Sequence, residues 1–131
     1  MKLYFSPGAC SLSPHIVLLE AGLDFSTEKV DLRTKQDSKG ADYKRVNPKG
    51  SVPALALRDG AVLTEGPAII QFLADLVPEK QLAPLAGSFE RYRLAEWLNY
   101  IGTEVHKGFS PLFNRAATPE MRDMAISALT L

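Results

Sequence analysis

The segment Ser6-Pro7-Gly8-Ala9-Cys10-Ser11-Leu12-Ser13-Pro14-His15 holds the side chains best suited to chemistry. Cys10 is the only cysteine of the chain, and it opens the pattern Cys10-Ser11-Leu12-Ser13. That pattern is a C-x-x-C redox motif with its second thiol replaced by a hydroxyl. Such a site forms a mixed disulfide with a small thiol but has no resolving cysteine of its own. The run that follows, Ile16-Val17-Leu18-Leu19-Glu20-Ala21-Gly22, reads as a helix closed by glycine, which puts Cys10 at or just before a helix N-terminus. Unpaired backbone N–H groups and the helix dipole there stabilise a thiolate relative to a thiol. The alternative is a buried, inert cysteine that only fills space.

Three further motifs fit Cys10 if the ligand is a small, peptide-like thiol bearing carboxylates. In Gly50-Ser51-Val52-Pro53, a cis Val52–Pro53 bond would turn both backbone groups of Val52 outward, to pair with an extended ligand as an added strand would. The alternative is an ordinary trans proline at the start of an edge strand. In Thr64-Glu65-Gly66-Pro67, a helix N-terminus offers N–H groups to a ligand carboxylate, and Glu65 is placed to take a ligand ammonium. Equally, Glu65 or Thr64 caps its own helix. Lys35 is available for a second carboxylate, or is simply solvated. His106, on the edge of an apolar helical face, would share a proton with a thiol or hold a thiolate as imidazolium; otherwise it is structural. His15 is assigned to helix packing. No paired-carboxylate, Cys/His metal or phosphate-loop pattern accompanies these residues.

The elements that must position this chemistry are legible in outline. Met1 to Phe5 reads as a buried strand, about Ser11 to Ala21 as a helix burying Leu12, Ile16 and Leu19, and Thr27 to Leu32 as a second strand. Together they make a βαβ unit, whose strands run parallel with a right-handed crossover. Arg33 to Val46 is polar and weakly periodic, a loop with a short helix around Asp42 to Arg45. Ala54 to Leu57 and Ala61 to Leu63 form a hairpin with Asp59-Gly60 at its tip. Pro67 sits in the first turn of a helix that ends before Val77-Pro78. The order β-α-β-α-β-β-α is that of a thioredoxin-like α/β domain, expected over residues 1–78. Residues 79–87 read as a linker. In 88–131, Ser88 caps a long helix to about Phe109, with Leu94, Trp97, Leu98, Ile101, Val105 and Phe109 as its apolar stripe and Asn99, Thr103 and His106 sharing another face. Thr118-Pro119-Glu120 starts one more helix, and nothing in Ala128 to Leu131 signals a stop.

The 131 residues suit one domain, or one small domain plus part of another. Fifteen basic and fifteen acidic side chains cancel, which argues against nucleic acid or an anionic membrane bound mainly by net charge. One cysteine makes no internal disulfide and fits a reducing compartment. No stretch has the order of a signal peptide or the length of an apolar membrane span, so the cytoplasm is the expected location.

Four separated stretches, in this order, resemble the bacterial beta-class glutathione S-transferases: Tyr4 to His15, Asn47 to Leu55, Leu63 to Ile69 and Glu96 to Phe113. The resemblance implies a thioredoxin-like glutathione-binding domain, an all-helical second domain and a homodimer, with glutathione as co-substrate and no metal. It places Cys10 beside the glutathione sulfur, with Ser11 and His106 helping to keep that sulfur a thiolate. Lys35, Val52, Pro53, Glu65 and Gly66 match glutathione-contacting positions. Asn99, Thr103, Glu104, Val105, His106 and Lys107 fall on the helix that completes the site, some acting across the dimer interface. Position 66 is often serine in such proteins, so Gly66 supplies an N–H but no hydroxyl. Relatives also run on with further helices of the second domain. Their absence would expose the apolar face of the 88–109 helix and remove most of the wall of an electrophile pocket.

The activity this implies is transfer of glutathione to a halogenated or aromatic electrophile, with thiol–disulfide exchange through Cys10 as a companion. The contrasting expectation is a glutathione-binding or interaction fragment without turnover.

Overall fold

A computed structural model describes residues Met1 to Thr130. It divides into two compact units, Met1–Ala86 and Gly87–Leu131. Of residues 79–87, expected as linker, 79–86 cluster with the first unit, where Pro78–Lys80 form a single 3-10 turn.

The first unit is a five-stranded mixed sheet covered by two helices. Strand β1 (Lys2–Phe5) pairs in parallel with β2 (Ser26–Asp31) across helix α1 (Leu12–Ala21), the expected βαβ unit. Strand β3 (Gln36–Asp37) adds antiparallel to β2, and β4 (Ala54–Ala56) and β5 (Val62–Thr64) form the hairpin, with β4 antiparallel to β1. The order across the sheet is β3-β2-β1-β4-β5. Helix α2 (Gly66–Asp75) closes the unit against α1. The two-residue β3 lies in the stretch expected as loop; a strand that short carries no alternation to read, whereas the neighbouring 3-10 helix Tyr43–Arg45 falls where a short helix was expected.

Strand alternation sorts the core into two layers. Leu3 and Leu55, paired in register, face Leu18, Ile69 and Leu73 of α1 and α2, and all five are fully buried. Their neighbours Tyr4 and Ala54 face the other way, onto Val30, Tyr43 and Val52.

Helix α1 corrects the sequence reading. Leu12, Ile16 and Leu19, expected inside, are 61%, 49% and 63% exposed, and the buried face is Pro14, Leu18 and Ala21 with Val17 beside them. The helix is apolar nearly all round, so its sequence offers two stripes of equal spacing, 12/16/19 and 14/17/18/21. Only the sheet it packs on selects between them. Its C-terminus is as expected: Gly22 takes a left-handed φ of 67°, and the N–H of Leu23 returns to the Leu18 carbonyl at 3.2 Å.

The second unit begins with α3 (Phe89–Tyr100), whose first turn is capped by the Ser88 hydroxyl accepting from the Arg91 N–H. A π-turn over Ile101–Val105, in which the His106 N–H reaches back to the Ile101 carbonyl, joins it to α4 (His106–Gly108). Helices α5 (Ser110–Phe113) and α6 (Pro119–Leu129) follow, the latter capped by Thr118 as expected. Among the described residues of this unit only Ala117 and Ala125 are buried. Of the expected stripe, Leu94, Leu98 and Val105 are half-buried, and Trp97, Ile101 and Phe109 are exposed. No helix among the described residues is long and apolar enough to cross a membrane.

Candidate active site

The loop between β1 and α1 is built around Ser11. Its side chain is buried, donates to the Ser6 carbonyl at 3.2 Å and accepts from the Ser6 N–H at 3.2 Å. The hydroxyl that the sequence suggested for the ligand sulfur therefore ties both backbone groups of Ser6 and closes the Pro7-Gly8 turn, in which Gly8 has φ 71°. The expected row of unpaired N–H groups at the start of α1 is also reduced. The Leu12 N–H bonds to the Ala9 carbonyl at 3.1 Å, the Ser13 N–H approaches the Cys10 carbonyl at 3.4 Å, and Pro14 has none to give. What α1 offers Cys10 is the dipole of a ten-residue helix.

Cys10 is exposed, against the reading of an inert filler, and its Sγ donates to the Val52 carbonyl at 3.2 Å. The Val52–Pro53 peptide is cis, as the sequence motif suggested. The carbonyl of Val52, expected to wait for a ligand, is engaged by the Cys10 thiol. A hydrogen bond donated to a carbonyl favours the protonated sulfur, opposing the pull of the helix dipole toward thiolate.

The loop 47–51 holds Val52 in place. Asn47 is buried and donates from Nδ2 to the Ser51 carbonyl at 2.7 Å, and the Tyr43 hydroxyl donates to the same carbonyl at 2.9 Å. Lys35 is a non-glycine residue in left-handed conformation, with φ 58°. The Lys35 N–H bonds to Asp31, its carbonyl accepts from Tyr43, and its ammonium donates to the Gly50 carbonyl at 2.9 Å. Gly50 has φ 63°, and a Cβ there would lie 3.3 Å from Lys35 Cδ.

At the start of α2, Glu65 has φ 70° and makes no capping bond, so the reading of a self-capping Glu65 fails. A bulky side chain in that conformation costs on the order of 1–3 kcal/mol, and such residues gather at ligand sites. Its carboxylate pairs with the Lys49 ammonium, which also donates to Thr64 Oγ1 at 2.9 Å. Thr64 likewise leaves α2 uncapped. Gly66 follows, and the nearest atom to a Cβ built there is Pro53 Cγ at 4.0 Å.

Cys10, Val52, Pro53 and Gly66 are thus contiguous, and Glu65 and Lys35 are joined to that strip through Lys49 and Gly50. Sequence reasoning gave Asn47, Tyr43 and Lys49 no role in the site: Tyr43 fell in the short helix around Asp42 to Arg45, and Asn47 and Lys49 in a turn. The one local signal for them is the Asn47-Pro48-Lys49-Gly50 turn immediately before Val52-Pro53. Burial pushes the Tyr43 phenol up to about 12, and burial with the nearby Glu28 and Asp37 carboxylates raises Tyr4, so both remain neutral donors near pH 7. Among the described residues no group of three or more His, Cys, Asp or Glu gathers as for a metal.

Asn99, Thr103, Glu104, Val105, His106 and Lys107 lie in the second unit, at and around the π-turn; all are exposed except the half-buried Val105. Thr103 Oγ1 donates to the Asn99 carbonyl at 3.1 Å. The π-turn inserts about one residue, ~100° of rotation, so the α-helical phase that put Asn99, Thr103 and His106 on one face does not carry across it.

Residues 8–76 match the family "Glutathione S-transferase, N-terminal domain". The chain belongs to the glutathione S-transferase family. It is 59% identical over 120 residues to glutathione S-transferase GstA of Escherichia coli O157:H7, covering 92% of this chain and 59% of that protein. BphK, a bacterial GST solved as a ternary complex, superimposes with a TM-score of 0.97 at 60% identity, covering 99% of this chain and 65% of its own. A sphingomonad glutathione S-transferase complexed with glutathione superimposes at 0.96 and 49% identity, covering 99% of this chain and 65% of its own. The chain thus spans 59% to 65% of the length of these three relatives. The family match runs from the β1–α1 loop to the end of α2 and includes the strip from Cys10 to Gly66.

Proposed function

We propose that this chain carries the glutathione site of a glutathione transferase. The observation that supports it best is the contiguity of the exposed Cys10, the Val52 backbone its thiol bonds to, and Pro53 beside the start of α2. In this reading the cysteinyl backbone of glutathione pairs with Val52 beside Pro53, displacing the Cys10 thiol from the Val52 carbonyl. Glu65 takes the γ-glutamyl ammonium, the Gly66 N–H and the α2 dipole take its carboxylate, and Lys35 takes the glycyl carboxylate. The glutathione sulfur then lies beside Cys10. By the family resemblance Asn99, Thr103, Glu104, Val105, His106 and Lys107 are further ligand-contacting positions of a homodimer, with His106 favouring the thiolate.

The reaction is displacement at an electrophilic carbon: the glutathione thiolate forms the C–S bond and halide leaves with the electron pair. The nucleophile belongs to glutathione, so Cys10 is a neighbour of the reacting sulfur. Ser11, whose hydroxyl is consumed by Ser6, is assigned to the loop that carries Cys10.

Calorimetric titration of the chain with glutathione, followed by conjugation of a chromogenic haloaromatic, tests this. Binding with turnover supports it; binding with no turnover across a broad electrophile panel leaves the alternative, a binding module. No binding removes both.

A second reading rests on the exposed, single Cys10. Its thiolate attacks glutathione disulfide, forming a Cys10–glutathione disulfide and releasing glutathione thiolate; a second glutathione reverses the step. Cys10→Ala separates the two activities, since conjugation survives it and disulfide exchange does not.

A further inference from the structure

The ion pair between Lys49 and Glu65 lies at the start of α2 and is largely solvated, with the two side chains 51% and 67% exposed. An exposed pair of this kind contributes little to stability, so opening it costs little. Its position is nonetheless unusual. Glu65 is held in left-handed backbone without capping the helix, and Lys49 extends from the 47–51 turn to meet both Glu65 and Thr64 Oγ1.

We propose that Lys49 is a positioning residue for the α-amino-acid end of a γ-glutamyl ligand. On binding, the Lys49–Glu65 pair opens, Glu65 takes the ligand ammonium and Lys49 the ligand α-carboxylate. This rests on the glutathione reading above and adds a side chain to it. The argument is one of charge matching. An α-amino acid presents ammonium and carboxylate about 3 Å apart, separated by one carbon. The pair of opposite charges on Glu65 and Lys49 is complementary to that zwitterion, so exchanging one pair for two cross-pairs leaves no charge unmatched. The Lys49 ammonium already sits at the Glu65 carboxylate and needs to move only by about the length of one hydrogen bond to reach a carboxylate bonded next to the incoming ammonium. Gly66, which has no hydroxyl to offer that carboxylate, leaves room for Lys49 to serve it instead.

The test is a ligand-by-variant cycle on the full chain by isothermal titration. The ligands are glutathione, its analogue lacking the α-carboxylate (4-aminobutyryl-Cys-Gly) and its analogue lacking the α-amino group (glutaryl-Cys-Gly). The proteins are wild type, Lys49→Met and Lys49→Arg. Lys49→Met is expected to weaken glutathione and glutaryl-Cys-Gly about tenfold, the size of one charge-assisted hydrogen bond, and to leave 4-aminobutyryl-Cys-Gly unchanged. Lys49→Arg restores most of the loss. Equal weakening of all three ligands by Lys49→Met would mean a structural role and overturn the proposal, as would unchanged or tighter glutathione binding, which would make Lys49 only a competitor for Glu65. A wild type that binds none of the three removes the glutathione reading together with Lys49. Glutathione bound equally well by wild type and Lys49→Met removes Lys49 alone.

Discussion

Ser11→Ala separates a structural hydroxyl from a catalytic one. The substitution deletes a single oxygen from a buried site and changes nothing in the adjacent Cys10. That oxygen makes two hydrogen bonds, both 3.2 Å and both to Ser6. Each contributes about 0.5–1.5 kcal/mol net; the Ser6 N–H loses its partner, while the Ser6 carbonyl keeps the bond from the Ala9 N–H at 3.2 Å. The expected loss is therefore about 1–3 kcal/mol, a fall in Tm of roughly 4–24 °C for a unit of this size. Urea denaturation of wild type and variant, followed by far-UV circular dichroism, measures it; glutathione affinity below the transition measures the site. The reasoning expects a clear stability loss and, in the protein that stays folded, affinity within about threefold of wild type, since both hydrogen bonds of the Ser11 hydroxyl go to Ser6. A variant as stable as wild type but with conjugation reduced a hundredfold would refute it, and would return Ser11 to the role of a donor to the ligand sulfur.

Three other changes test the geometry of the same strip. Gly66→Ser meets nothing closer than Pro53 Cγ at 4.0 Å, so it should stabilise the first turn of α2 by about 0.5 kcal/mol and tighten glutathione several-fold through a new hydroxyl, read by melting and titration. Gly50→Ala places a Cβ in backbone of φ 63° and 3.3 Å from Lys35 Cδ, so it should cost about 1–2 kcal/mol in urea denaturation and weaken glutathione as the Lys35 ammonium is pushed from the Gly50 carbonyl. Tyr43→Phe removes the hydroxyl bond to Ser51 and should cost about 1 kcal/mol at pH 8, where Asn47 still holds the same carbonyl. The folded Tyr43 phenol, near 12, lies above its ordinary value of 10, so its contribution is complete below pH 10 and is lost as pH rises through 12. Denaturation between pH 9 and 12 should show the ~1 kcal/mol advantage of wild type over Tyr43→Phe closing as the pH approaches 12; parallel curves would mean that burial does not perturb this phenol.

Much of the architecture was legible because its signals are local. The run lengths of β1, α1 and β2, the Gly22 stop, the Asp59-Gly60 hairpin tip, Pro67 in the first turn of α2 and the caps Ser88 and Thr118 each act within four or five residues, where the sequence itself supplies both partners. Cys10 at a helix start and Val52-Pro53 after a turn were readable for the same reason. Tertiary structure decided what those residues do. Cys10 and Val52 are 42 positions apart, and no spacing rule announces that the thiol of one will take the carbonyl of the other. Ser11 looked like part of the site because it adjoins Cys10; the helix phase turns it inward onto Ser6. The two apolar stripes of α1 are equal in sequence, and the sheet buries one of them. Glu65 finds Lys49 only because the 47–51 turn and the start of α2 meet in space, 16 residues apart along the chain. The π-turn changed the helical phase that sequence reasoning assumed for Asn99, Thr103 and His106. Local chemistry determined which elements form and where the reactive groups sit along them; which face each element buries, and which backbone group each side chain claims, depends on partners brought near only by folding.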